Sequence, residues 1–505
     1  MKDVKLADIT ITGAESVAAG PFKLPPGLIS SVDVPAFCRV RADLKPAADS
    51  LIKMEVWMPA EGWNGKFEQV GNGGLAGSIN QLSLAMALKR GFATAATDDG
   101  HEGAGTDGSW ALGHPEKVRD FGYRAVHETS EKSKKIIAAF YHKAASFAYF
   151  NGCSEGGREA IMEAQRYPDD FNGILAGAPA MYWTQLMTAF VWNAQAFSDP
   201  ASFINEPKRA AVENAALAAC GRQNNVTDKF IKDPLQCHFD PAVLLCKEAD
   251  GDSCLTQKQV DAIKKVYAGP KDSSGKQLSA GYEPGAEAEP GLPGISYQSY
   301  ILGPAPGATL DAIFSGSFYS SFVFEDPKWK VSQFNFDKDV ATTEAKVGAI
   351  LNAGNPELQA FRSHGGKLVV YHGWNDGSPP PMHSVEYYQR VAEKMGGVEK
   401  TREFYRLFMV PGMMHCGSGA GPNLFGNVMD LHPIADPEHD IFMALQKWVE
   451  NGVAPEYIVA TKYVEDDLSK GKAMSRPICA YPQQAIWDEK GDLAEAGSWV
   501  CEVAK

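Results

Sequence analysis

One serine of the chain lies in a setting that could make it a nucleophile. Residues 152–156 read Gly-Cys-Ser-Glu-Gly and match G-x-S-x-G, a pattern typical of a sharp turn between a strand and a helix. The flanking glycines keep such a strained turn free of side-chain clashes. The amide of Glu155 would then lie at a helix N-terminus, where it could donate to an oxyanion. The alternative interpretation of Ser154 is a polar residue in an ordinary turn.

An acid and a base follow this serine in the chain order that the chemistry uses. Asp376 follows the apolar run KLVVY, and His415 follows LFMVPGMM. Because each lies just beyond a predicted strand, we expect Ser154, Asp376 and His415 to form a triad in which the histidine accepts the serine proton. An Asp before Gly is otherwise a common turn residue, and a lone loop histidine is usually solvated. His372 and His383 lie near the acid, and we interpret them as structural.

A glycine-rich segment earlier in the chain could supply a second oxyanion donor. It reads FEQVGNGGLAG, and its glycines allow backbone amides to approach a substrate closely. We expect the donor to be Gly73 or Gly74. The alternative is an ordinary glycine-rich turn.

Strands and helices that could position these residues alternate along much of the chain. Short apolar runs indicate buried strands, and apolar residues at helical spacing indicate amphipathic helices. This alternation predicts an α/β fold around a parallel sheet. The predicted strands are 87–98, which runs into a polar turn, 147–151, 173–178, 367–371 and 404–410; the predicted helices are 124–141, a segment beginning after Ser154, 385–395 and 441–449.

The alternation is interrupted between residues 183 and 345. This stretch is rich in aromatic residues, and its part 269–310 holds eight Gly and six Pro, too many for regular elements. A loop of that length inside a compact core is unusual, which favours an inserted domain or lid. We therefore predict a core built from residues 1–182 and 346–505 and a lid domain of residues 183–345.

Composition disfavours several classes of partner. The chain has 505 residues with 48 basic and 62 acidic side chains, a net charge of −14, which disfavours nucleic acid and anionic membranes. No apolar run is long enough for a transmembrane helix. The first residues lack the apolar core of a signal peptide, so the chain is either cytosolic or a mature secreted protein.

Nine cysteines favour an oxidising compartment. Cys220 with Cys237, and Cys246 with Cys254, would close short loops as disulfides do, and the alternative is a set of reduced, buried thiols. Because the count is odd, at least one is unpaired, and we expect Cys38. Cys153 and Cys416 directly adjoin Ser154 and His415, so that a disulfide between them would tie the nucleophile to its base.

Over nearly its whole length the chain resembles the tannase and feruloyl esterase family of α/β-hydrolases. The resemblance rests on FCRV, WNGKFEQVGNGGLAG, TDDGH, DFGYRAVHE, GCSEGGREAIMEAQRYPDDFNGILAGAPA, YHGWND and PGMMHCG. It implies an α/β-hydrolase fold with a large inserted lid domain, secretion to the outside or the periplasm, and hydrolysis of small aromatic esters, such as those released from plant cell wall or polyester. It also implies the Cys153–Cys416 bridge and the pairs Cys220–Cys237, Cys246–Cys254 and Cys479–Cys501.

Two departures from the family pattern affect the expected ligands. The family's lid usually carries a calcium loop, but here only Asp228 keeps a carboxylate, since Gly221 and Asn224 replace the usual aspartates. Val226 and Phe230 could offer carbonyls alone, so we predict no tight calcium and no other cofactor or metal. A family member that hydrolyses mono(2-hydroxyethyl) terephthalate holds the substrate carboxylate with a lid arginine, whereas this chain has no Arg from residue 223 to 360.

These features together predict a secreted serine esterase for aromatic carboxylic esters, with feruloyl and other hydroxycinnamoyl esters first. Tannase activity on gallates and terephthalate monoester hydrolysis are alternatives, the latter because the terephthalate enzyme shares Glu155. Phe318 and Phe322 could stack on a phenolic ring, or they could belong to the lid's own core. Alternatives from other classes are an inactive binding module and a cytosolic peptidase or thioesterase.

Overall fold

A nine-stranded mixed sheet forms the centre of the molecule. The computed structural model describes residues 9–27, 29–223, 225–292 and 294–503. The strands of this sheet are β1 (Ile9–Val17), β2 (Phe37–Leu44), β3 (Ile52–Pro59), β4 (Lys66–Val70), β5 (Ala93–Thr97), β6 (Phe147–Cys153), β7 (Gly173–Gly177), β8 (Lys367–Gly373) and β9 (Tyr405–Val410). Their order across the sheet is β1-β2-β3-β5-β4-β6-β7-β8-β9.

The parallel half of the sheet confirms the prediction from alternating elements. Strands β4 to β9 all run in parallel, so their carboxyl ends lie along one edge. Residues of β7, β8 and β9 are buried nearly throughout, as expected for strands covered on both faces. The predicted strand 87–98 begins only at Ala93, because a helix continues to Lys89 and Gly91 turns the chain with a φ of +81°.

The other half of the sheet was not predicted. Strands β1, β2 and β3 pair antiparallel with one another, and β3 joins β5, also antiparallel. The sheet is therefore mixed, and the expectation of a parallel sheet holds for the half formed by β4 to β9. This mixed sheet and the turn at Ser154 after β6 together form an α/β-hydrolase fold.

Helices of nine or more residues lie on both faces of the sheet and beyond it. In the part of the chain that the structure describes they are α1 (Gln81–Lys89), α2 (Ala125–Tyr141), α3 (Glu155–Arg166), α4 (Trp183–Ala196), α5 (Glu206–Cys220), α6 (Gln257–Ala268), α7 (Leu310–Phe318), α8 (Met382–Lys394) and α9 (Ile441–Asn451). The predicted helices 124–141, 385–395 and 441–449 correspond to α2, α8 and α9. Two-stranded pairs outside the sheet join Gly20–Lys23 with Ser31–Val34, Arg222–Gln223 with Val226–Thr227, Tyr457–Tyr463 with Lys472–Cys479, and Gln483–Trp487 with Trp499–Val503.

Residues 183–345, called the inserted segment from here on, contribute no described strand to the central sheet. Helices α4 to α7 of this segment share one aromatic core with loops at the carboxyl edge, where Phe322 meets Trp110 at 5.0 Å between ring centroids. The domain boundaries at 183 and 345 stay a prediction.

Four disulfides link the chain, with the pairing that the resemblance implied. They are Cys153–Cys416, Cys220–Cys237, Cys246–Cys254 and Cys479–Cys501. Cys38 is the free cysteine, as predicted, and burial raises the pKa of its thiol. Among the described helices, none has the length and apolar character needed to cross a bilayer.

Candidate active site

Ser154 occupies the sharp turn between β6 and α3. Its φ of 67° and ψ of −120° are strained for a residue with a side chain, and its amide donates to the Gly177 carbonyl at 2.9 Å. Glycine is required beside it, since a Cβ on Gly152 would lie 2.6 Å from the Gly156 carbonyl oxygen. A Cβ on Gly156 would in turn lie 2.8 Å from the carbonyl oxygen of Asn72. The turn therefore holds the serine hydroxyl above the carboxyl edge of the sheet.

The structure brings the three predicted triad residues into one hydrogen-bonded chain. His415 Nε2 lies 2.8 Å from Ser154 Oγ, and its Nδ1 lies 2.8 Å from Asp376 Oδ2. The aspartate is fully buried and the histidine nearly so, which keeps both away from bulk water. This geometry allows the histidine to accept a proton from the serine and the aspartate to stabilise the resulting imidazolium.

Groups other than His415 also hold Asp376. Its Oδ1 accepts from the Ser378 amide at 2.7 Å, and its Oδ2 also lies 3.2 Å from Nε2 of His372. Burial alone would raise the pKa of Asp376, but the charge of His415 and the hydrogen bonds from both imidazoles lower it to about 2. The carboxylate is therefore ionised at neutral pH.

The two other histidines near the acid differ in what they touch. His372 bonds through Nδ1 to the Ser384 hydroxyl at 2.7 Å, so it reaches Asp376 as a fixed neighbour. His383 bonds to Ser279 of the inserted segment at 2.9 Å, and its burial lowers its pKa to about 3. Neither contacts Ser154 in the bonds recorded among the described residues.

Three backbone amides are free to meet an oxyanion. Glu155 opens α3, and the amides of Gly73 and Gly74 have no hydrogen-bond partner among the described residues. Gly74 has a φ of +63°, and a Cβ there would collide with the Gly105 carbonyl, so the turn requires glycine. A Cβ on Gly73 would meet no atom within 4 Å, which leaves open space on that side.

A disulfide joins the two residues that adjoin Ser154 and His415. Cys153 ends β6 directly before Ser154, and Cys416 directly follows His415, with 6.0 Å between their Cα atoms. The Cys416 carbonyl accepts from the side chain of Asn427 at 2.9 Å. The covalent link limits how far the segments that carry Ser154 and His415 can separate.

The inserted segment also reaches the triad through residues that the sequence analysis missed. The carbonyl of Ile295 accepts from the His415 amide at 3.3 Å, and the buried Tyr300 ring lies 5.6 Å from the imidazole. Tyr282 donates to the Ser378 carbonyl at 2.8 Å, directly beside the acid loop. The glycine- and proline-rich sequence around them carries no periodic signal that could have revealed these contacts.

Phe318 and Phe322 lie inside the aromatic core of the inserted segment. Both are buried, with ring centroids 5.1 Å apart, and Phe322 packs edge-on against Trp110. This packing corresponds to the core alternative, and stacking on a substrate ring stays a prediction.

The residues of the expected calcium loop do not fit a calcium ion. Asp228 accepts two hydrogen bonds from Arg476, at 2.8 and 3.0 Å, so its charge is already neutralised. The Phe230 ring lies 5.5 Å from the same guanidinium, and the ammonium of Lys232 donates to the Gln223 carbonyl at 2.6 Å. Val226 is buried in a short strand pair, and Asn224 lies outside the described residues. Two cations beside one carboxylate leave no charge for a divalent ion.

Known proteins are similar to this chain over most of its length. The family model for tannase and feruloyl esterase matches residues 38–502. An uncharacterized esterase of Xanthomonas campestris pv. campestris is 39% identical, over 99% of this chain and 90% of the relative. A probable feruloyl esterase B-2 of Aspergillus terreus is 32% identical over 92% of this chain and 86% of the relative. The crystal structure of feruloyl esterase B from Aspergillus oryzae is similar with a TM-score of 0.90 and 28% identity, covering 99% and 98% of the two chains. The chain therefore belongs to the tannase and feruloyl esterase family.

Proposed function

We propose that this carboxylic ester hydrolase cleaves aromatic esters through an acyl-enzyme on Ser154, with feruloyl and related hydroxycinnamoyl esters as its preferred substrates. The observation that carries the proposal is the hydrogen-bonded chain from Ser154 through His415 to Asp376, since it activates a hydroxyl that is otherwise a weak nucleophile.

Each residue of this hydrogen-bonded chain has a defined role in the reaction. Ser154 Oγ attacks the ester carbonyl while His415 takes its proton, and the amides of Glu155 and of Gly73 or Gly74 stabilise the oxyanion. The imidazolium then protonates the leaving alcohol. Water attacks the acyl-enzyme by the same route, with His415 again as the base, and the free acid leaves. Asp376 stays ionised and stabilises the imidazolium in both halves.

The arginine and aromatic content of the inserted segment supports a neutral acyl group. It has no arginine from residue 223 to 345 to hold a second carboxylate, and the aromatic residues that it packs beside the triad suit a phenolic ring. The relatives named as probable feruloyl esterases support the same acyl class. We place the enzyme outside the cell or in the periplasm, because four disulfides persist in oxidising compartments.

A matched ester panel tests the proposal. Methyl ferulate, methyl gallate and mono(2-hydroxyethyl) terephthalate are each incubated with wild type and with Ser154→Ala under identical conditions, and the rate of hydrolysis is measured. We expect turnover of methyl ferulate to be fastest and to fall at least about a thousandfold in the variant. Faster turnover of the gallate or the terephthalate would replace the acyl assignment. If wild type and variant act equally on every ester, the serine mechanism is wrong.

A further inference from the structure

Glu159 connects the nucleophile helix to the loop that carries the second oxyanion donor. It lies in the second turn of α3, is 2% exposed, and its Oε2 accepts a hydrogen bond from the Asn72 amide at 3.0 Å. Asn72 directly precedes Gly73 and Gly74. The mechanism above does not use Glu159.

The loop at residues 71–72 packs closely against α3. The Asn72 carbonyl accepts from the Gly156 amide at 3.0 Å, and its side chain donates to the Thr97 carbonyl at 2.9 Å. A Cβ on Gly71 would lie 2.7 Å from both Glu159 Oε2 and the Gly156 Cα. The amides of Gly73 and Gly74 therefore take their position from the same helix whose first amide, that of Glu155, is the other donor.

We propose that Glu159 is a positioning residue that sets the distance between the two halves of the oxyanion hole. The inference rests on the proposed esterase function. Through Asn72, its carboxyl fixes the donors of residues 71–74, called the glycine loop, relative to the Glu155 amide. Donors that are fixed before the reaction stabilise the transition state more than donors that must move to meet it.

A second carboxyl completes this support. Both oxygens of Asp99 and Oε1 of Glu159 are buried without a conventional partner, and oxygens of Asp99, Glu155 and Glu159 lie within 4.8 Å of one another. The nearby positive charge is Arg158, whose Nε donates to Glu155 Oε1 at 2.9 Å. One cation balances one of three carboxylates, so the group is neutral when two of them keep a proton. Burial and the neighbouring carboxyls raise the pKa of Asp99 and Glu159, which favours a proton shared between these two side chains.

Substitutions at Glu159 test the proposal, with Glu163 as the matched control. Glu163 lies one turn further along the same face of α3, is 1% exposed, and has no recorded bond to the glycine loop. The variants are Glu159→Ala, Glu159→Asp, Glu159→Gln, Glu163→Ala and Glu163→Gln, and each is compared with wild type by kcat, KM and melting temperature. Glu159→Gln keeps an acceptor for the Asn72 amide and gains a donor for Asp99, whereas Glu159→Asp withdraws the carboxyl by one carbon.

We expect Glu159→Ala and Glu159→Asp to lower kcat by about 100-fold while KM changes less than about threefold, which is the effect of losing an oxyanion donor. Glu159→Gln and both Glu163 variants should keep kcat within about threefold of wild type. Affinity for an aryl boronic acid, which mimics the tetrahedral intermediate, should fall in parallel with kcat. If Glu159→Ala does not fold, the kcat of Glu159→Asp alone tests the proposal.

Two results would overturn the proposal. The first is a Glu159→Asp variant whose kcat matches that of Glu163→Ala at equal stability. The second is a Glu159→Gln variant that loses as much activity as Glu159→Asp. Serine-dependent turnover by wild type distinguishes these from a failure of the esterase function, since without it both proposals are wrong.

Discussion

At the scale of single residues, three polar neighbours hold the side chain of Asp376. Two imidazoles, those of His372 and His415, approach the same carboxylate oxygen, while a backbone amide binds the other. Such a carboxylate fixes the tautomer of the base, because only a histidine that carries its proton on Nδ1 can donate to it.

Asp376→Asn tests this role directly. The amide could present its N–H to His415 and favour the wrong tautomer, so we expect kcat to fall by about 10⁴-fold. Steady-state kinetics on methyl ferulate give the loss, and a thermal melt shows whether the fold is kept. A folded variant with kcat within tenfold of wild type would contradict the assignment of the acid.

At the scale of elements, the Cys153–Cys416 bridge joins the ends of two loops that come from distant parts of the chain. Its sequence separation is 263 residues, against 8 for Cys246–Cys254 in the inserted segment. On loop-closure entropy alone, the first would stabilise the folded state by about 5.5 kcal/mol and the second by about 2.5 kcal/mol.

Removing each bridge in turn distinguishes an effect on the stability of the fold from an effect on the positions of Ser154 and His415. We expect the Cys153→Ala/Cys416→Ala double variant to lose kcat by about tenfold or more, because the serine and histidine loops are no longer held together. The Cys246→Ala/Cys254→Ala variant should keep its kcat at temperatures where it is folded. Equal kcat for both double variants would show that the active-site bridge serves stability alone.

The loop of the inserted segment that covers the acid contains a buried carboxyl. Glu287 accepts from the Gly285 amide and from the hydroxyl of Tyr267, and burial raises its pKa to about 7 despite these bonds. The facing Glu213, which binds the Ala288 amide at 2.8 Å, raises it further. The folded state therefore binds this proton more tightly than the unfolded chain does.

Stability should fall as the pH rises through this pKa. The contribution of Glu287 is fully present below the unfolded value of about 4.3 and is lost as the pH passes 7. We expect the melting temperature to drop between about pH 4.5 and 7.5, and to drop less in Glu287→Gln. Glu248→Gln, at an exposed position of the same segment, should keep the wild-type slope. A Glu287→Gln slope equal to that of wild type would refute this role.

At the scale of the whole molecule, the charge of −14 sets which esters approach easily. A negative protein repels an anionic substrate, and salt screens the repulsion. We expect kcat/KM for mono(2-hydroxyethyl) terephthalate to rise about two- to fivefold from 10 to 200 mM salt, and that for methyl ferulate to stay level. Parallel salt profiles for both esters would exclude electrostatic discrimination.

The parallel half of the fold and the triad could be predicted from the sequence for one physical reason. Strands buried on both faces are continuous apolar runs, and Ser154, Asp376 and His415 each follow such a run, so chain order alone places them at one edge. The antiparallel strands β1 and β2 gave a weaker signal, because partly buried and exposed residues interrupt their apolar positions. The contacts of Ile295 and Tyr300 with the base depend on how a glycine-rich loop docks, which no local pattern records.

The position of the Cys153–Cys416 bridge also decides what a protease can do to this enzyme. The chain between these cysteines contains the entire inserted segment, including its exposed loops. A single cut in that segment leaves Ser154 on one fragment and Asp376 and His415 on the other, yet the fragments remain one covalent molecule joined beside the nucleophile and the base. Such a nicked enzyme would migrate as one band without reductant and as two with it, and its triad would still be assembled.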